Sequence, residues 1–108
     1  MTVPITETAA AELELPLPEE PVTLRNRMRD LAQNAPAEAV SLIAAGEAIA
    51  DPLWEVWAPC LLSKNADRAT LIRILAGYQR ELWLWVAGER TWQQCADGLA
   101  GRIKRRLG

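Results

Sequence analysis

Histidine is absent from the 108-residue chain, which removes most of the common catalytic devices at once. Without imidazole there is no Ser-His-Asp arrangement, no HExxH metal helix and no proton shuttle working near neutral pH. Two thiols remain, Cys60 and Cys95. They are too few to complete a structural zinc site within one chain, and they read as small buried residues in a reduced setting rather than as a disulfide framework. Cys95 falls near an expected helix start, where a thiol pKa can be lowered, but it also falls on an apolar stripe, where thiols are usually inert. The carboxylates Asp67, Glu81, Glu89 and Asp97 are scattered, with no paired spacing for acid/base work. No glycine-rich phosphate loop or GxSxG elbow occurs, and Gly98-Leu99-Ala100-Gly101 has no strand signal before it. The expectation is a non-enzymatic chain with no cofactor, no metal and no small-molecule substrate.

The chemistry that remains is recognition. Leu82-Trp83-Leu84-Trp85-Val86 places five large apolar residues in succession. On a helix each step turns about 100°, so such a run faces every direction and asks for burial on all sides. An interface with a second copy or another protein meets that demand, and so does a central position in the chain's own fold. A buried indole also needs an acceptor for its N–H. Trp54 and Trp57, three residues apart on one helical face, form a second candidate anchor, with core packing as the alternative. The third candidate is the basic group Arg102, Lys104, Arg105 and Arg106. These side chains could hold a polyanion, or simply favour the negative end of a helix dipole and solvate the terminus. Residues 88–96 loosely resemble the turn of a helix-turn-helix, but too little chain follows for a recognition helix.

The elements that must position these residues are helical. Thr23 is placed to cap a short helix to about Ala32, with Leu24, Met28 and Leu31 on one face. Pro36 opens a second helix to about Ala50, whose inner stripe is Val40, Ile43, Ala44 and Ala48. Asp51-Pro52 looks like the start of a third, with a kink or break expected before Pro59. The fourth, about Ala66 to Ala87, carries a sustained seam of Leu71, Leu75, Tyr78, Leu82 and Trp85. Gly88 supplies its C-terminal cap, and Thr91-Trp92-Gln93-Gln94 fits a capping box opening a fifth helix with Trp92, Cys95, Leu99 and Ile103 inside.

Before these helices, residues 1–21 are rich in proline and glutamate and read as a disordered acidic tail, with residues 22–108 as the helical domain. Within the tail, Leu13-Glu14-Leu15-Pro16-Leu17-Pro18 suits an extended or polyproline conformation, either a short motif for a partner's groove or a solubilising arm. Net charge is −2, but residues 1–55 hold ten acids and three bases while residues 56–108 hold four acids and nine bases. An acidic arm lying over a basic end is one consequence of that split. No signal-peptide pattern or apolar run of about 20 residues is present, so a cytoplasmic protein without a membrane span is expected.

The expectation is therefore an all-α protein, a small bundle of four to five short helices behind an acidic tail. Its expected role is a non-enzymatic interaction or adaptor function, self-associating as a homodimer through Trp54, Trp57, Leu82, Trp83, Leu84, Trp85 and Val86. The alternative is a small nucleic-acid-binding or regulatory protein using Arg102, Lys104, Arg105 and Arg106.

Overall fold

The computed structural model describes residues 14–45 and 47–107, and places side chains in all of these except 42–45 and 47. The fold is an all-α bundle of short helices: α1 Val22–Asn34, α2 Pro36–Ala45, α3 Glu47–Leu62, α4 Arg68–Ala76, α5 Gln79–Val86 and α6 Trp92–Leu107. Helix α1 packs on α2 and α5, α3 packs chiefly on α2 and α4, and α6 packs on α4 and α5. Among the described residues no helix is long and apolar enough to cross a membrane.

Local chemistry explains most of the boundaries. Ala35, held extended at φ −147° by the following proline, separates α1 from α2, and Pro36 occupies the first helical position. Helix α3 ends with Asn65 in the left-handed region at φ 58°. The amide of Ala66 donates to the Leu61 carbonyl and that of Asn65 to the Leu62 carbonyl, the bond pair of a Schellman cap. Gly88, at φ +87°, closes α5 in the same way, the Glu89 amide reaching the Leu84 carbonyl at 2.8 Å. Asp67 caps α4 by accepting from the amide and hydroxyl of Thr70, each at 2.9 Å, and these bonds lower its pKa. The capping box of α6 forms as its sequence requires: Gln94 N–H donates to Thr91 Oγ1 at 3.1 Å, and Thr91 N–H to Gln94 Oε1 at 2.9 Å.

Besides Thr23, which lies inside α1 behind Pro21 and makes no cap bond, three sequence expectations need correction. The long fourth helix is two, because the chain turns at Gly77-Tyr78. Its seam survives, since Leu71, Leu75, Tyr78, Leu82 and Trp85 are all buried. The turn is made by tight bonds from Gly77 to the Ile74 carbonyl and from Tyr78 to the Leu75 carbonyl, which keep both halves facing the same core. Second, Asp51-Pro52 starts no helix. Helix α3 begins at Glu47 and runs through both Pro52 and Pro59. Each proline forfeits one ladder bond, but the buried stripe Ile49, Leu53, Trp57 and Leu61 lies on other positions and holds the helix. Third, α2 turns Ala39 inward and leaves Val40 55% exposed, so its inner face is shifted from the expected stripe. Ala48 is half-buried at the start of α3, and the side chains of Ile43 and Ala44 lie outside the described residues.

Candidate protein-binding groove

Helix α3 has α2 and α4 as its main neighbours, while α5 and α6 lie against each other. Indoles from these two groups converge on residues 14–21. That segment forms no helix, as its prolines dictate, but it is tied down along its length. Trp57 on α3 donates Nε1–H to the Pro16 carbonyl at 2.7 Å. Trp92 on α6 donates to the Pro18 carbonyl at 2.6 Å. Trp85 on α5 donates to the Glu20 carboxylate at 2.8 Å. The Cys60 thiol, on α3, points to the Glu14 carbonyl at 2.8 Å. Every second residue from 14 to 20 therefore meets a donor, the repeat of an extended chain. This segment is a strap across three helices.

Its composition fits the task. A buried indole N–H requires an acceptor, and leaving one unmet costs about 1–3 kcal/mol. Proline offers its carbonyl while bringing no N–H of its own, so Pro16 and Pro18 satisfy Trp57 and Trp92 without burying new donors. Their fixed φ also reduces the entropy lost when the strap is ordered. Pro18 is buried, Leu15 packs on the core, and Leu17 points outward at 51% exposure. Trp85 and Trp92 lie 4.9 Å apart between ring centroids, tilted by 50°. Just beyond the strap, Arg25 and Arg29 of α1 donate through Nε to the Trp85 and Val86 carbonyls at 3.2 and 3.3 Å, meeting acceptors at the end of α5.

The structure sorts the sequence candidates. Trp57, Leu82, Trp85 and Val86 are buried in the core. Trp54, Trp83 and Leu84 are half-buried. The five-residue run thus divides into three buried core positions and two half-buried ones, of which Trp83 also packs against the core. Trp83 borders a hollow of about 260 Å³ with Arg29, Ala32 and Ala87. In the basic group, Arg102 is half-buried and Lys104, Arg105 and Arg106 are exposed. Among the described residues, no acid of the strap pairs with any of these four; Glu20 is engaged with Trp85. The described part of the acidic arm lies over indoles rather than over the basic end.

Sequence reasoning missed Trp92 and Cys60 as strap contacts, and missed Glu14, Pro16, Pro18 and Glu20 as the acceptors of Cys60, Trp57, Trp92 and Trp85. Two signals were present: the alternating Leu-Pro segment, and more large indoles than the nearby helices could supply with acceptors. Cys95 is buried, and burial, helped by Glu81, pushes its pKa up to about 12. Among the described residues no three His, Cys, Asp or Glu side chains gather to hold a metal ion. No protein-family model, curated protein or solved structure matches the chain.

Proposed function

We propose that this chain is a non-enzymatic interaction protein whose working surface is the tryptophan groove, and that the groove takes an extended leucine-proline segment of a partner protein. One observation carries the reading: donors from α3 and α6 meet the alternate backbone carbonyls of Glu14, Pro16 and Pro18, and a donor from α5 meets the Glu20 carboxylate. Indoles that read carbonyls, with pockets for alternate apolar side chains, are a recurrent way to hold proline-rich chains. The chain's own strap then acts as an internal competitor. A tethered ligand has an effective concentration in the millimolar range. A second copy's strap offers the same contacts and no advantage, so strap exchange would give dimers only at about that concentration. Self-association at lower concentration would have to use the half-buried residues Trp83 and Leu84.

The test is titration of a peptide spanning Glu12–Pro21 into the full chain and into Leu15→Asp, whose strap loses its apolar hold. Removing a cis competitor raises apparent affinity by the factor by which the groove was occupied. The L15D protein should bind the peptide at least about tenfold more tightly than the parent, and adding Trp92→Ala should abolish the gain. Equal affinity for parent and L15D would rule out an exchangeable groove.

A further inference from the structure

The α4–α5 turn, α5 and α6 border an open pocket of about 420 Å³ whose lining includes Gly77, Arg80, Glu81, Gly98, Arg102 and Arg105. That volume falls within the range of about 300–1,000 Å³ typical of small-molecule sites. We infer that this pocket binds the phosphate group of a small phosphorylated molecule.

Three features carry the inference independently of the strap. The first is an unmet donor. Arg102 Nε is shielded from solvent and has no hydrogen-bond partner among the described residues. A guanidinium presents a planar fork suited to two oxygens of one oxyanion, and a small turn of the side chain toward the pocket would bring the unmet Nε–H to such an acceptor. The second is uncompensated charge. The ion pairs among the described residues engage Arg68 with Asp51 and Arg90 with Glu81, leaving Arg80, Arg102 and Arg105 without a carboxylate partner. The one acid on the wall, Glu81, is held by Arg90 at 3.3 Å. Third, two glycines make room for the side chains that line the pocket: a Cβ at Gly77 would come within 2.9 Å of Arg102 Nη2, and one at Gly98 would overlap the Tyr78 hydroxyl. Tyr78 itself is occupied, donating to the Cys95 carbonyl at 2.9 Å. Helix α5 also starts here without a side-chain cap, adding its positive end to the same wall.

Shape separates this site from a nucleic-acid surface. A duplex backbone is met by cations spread along an exposed face, whereas Arg80, Arg102 and Arg105 converge on one concavity. Lys104 and Arg106 are exposed and do not border it.

Calorimetric titration of the full chain at low ionic strength, with inorganic phosphate and pyrophosphate as probes, tests the inference. Saturable one-to-one binding is expected. Arg102→Gln and Arg80→Gln should each weaken it at least about tenfold, the loss expected for a hydrogen bond to a charged group. The double change Lys104→Gln with Arg106→Gln should stay within about twofold of the parent, as for cations acting only through screened solvent. Arg80 is exposed, so R80Q keeps the test decisive if R102Q fails to fold. No saturation below about 10 mM would overturn the inference. So would equal losses in the Lys104/Arg106 variant, or preferential binding of a generic duplex that depends on those two residues.

Discussion

The two halves of α6 are finished in opposite ways. At its start, Trp92 is buried and its N–H meets a proline carbonyl delivered from 74 residues away in sequence. Toward its end, Arg102 is half-buried and its Nε meets no partner among the described residues. The first region shows a chain supplying its own complement: large indoles fill an otherwise alanine-rich interior, and a donor-poor strap satisfies their polar edges. The second shows donors assembled without a complement in the chain. Buried polar groups are normally paired, so the sealed region explains stability and the unsealed one marks where something from outside fits.

The comparison can be tested by breaking the sealed side. The largest effect should come from Trp57→Ala, which removes a fully buried side chain and frees Pro16; a loss of about 3–5 kcal/mol is expected in denaturant unfolding. Trp83→Ala, half-buried and with no indole bond among the described residues, should cost less. A W83A penalty as large as that of W57A would mean that its partial packing on the core counts as much as full burial.

Gly98→Ala should come next. Its Cβ would displace the Tyr78 hydroxyl from the Cys95 carbonyl and costs about 1–3 kcal/mol if the buried acceptor is left unpaired. It would also narrow the pocket, so phosphate binding should fall with stability. A smaller effect is expected at the strap's end. Glu20→Ala removes the acceptor of Trp85 and should cost about 1 kcal/mol, while Glu20→Gln, which keeps a carbonyl, should cost less. Equal costs would mean that the strap is not positioned by that bond.

Alkaline pH probes the same core. Burial raises Cys95 from 9.0 to about 12 and Tyr78 from 10.0 to about 12. Both groups are neutral when protonated, so the folded state is favoured while they hold their protons. That contribution is complete below pH 9 and should decline as pH rises through the interval to about 12. Cys95→Ala should flatten the first part of the decline in unfolding midpoint against pH. Its thiol should also resist modification at pH 8 until the chain unfolds.

How much of this was legible in the sequence follows from the range of the forces involved. Local chemistry was readable: the Thr91–Gln94 box, the Gly88 cap, and the stripes Trp92-Cys95-Leu99-Ile103 and Leu71 to Trp85 all form as their spacing requires. What failed depended on neighbours distant in the chain. Helix α3 carries Pro52 and Pro59 because its buried face outweighs two lost bonds, and packing is invisible to a local rule. The Gly77-Tyr78 turn is fixed by contacts with α6 twenty residues on, including the Tyr78 bond to Cys95. The groove required joining two observations, a proline-rich segment and indoles short of acceptors, that lie 41 to 74 residues apart. Of the cations that line the α5–α6 pocket, Arg102 and Arg105 stood out in the sequence as part of a basic group, but Arg80 joins them only through the fold.

The most direct test of the strap is hydrogen exchange at the five tryptophan side chains of the full-length protein, followed by NMR. The indole N–H groups of Trp57, Trp85 and Trp92, bonded to Pro16, Glu20 and Pro18, should exchange far more slowly than those of Trp54 and Trp83. In Leu15→Asp that protection should fall first at Trp57, beside the loosened residue. Five indoles exchanging at similar rates, or protection unchanged in L15D, would contradict the account.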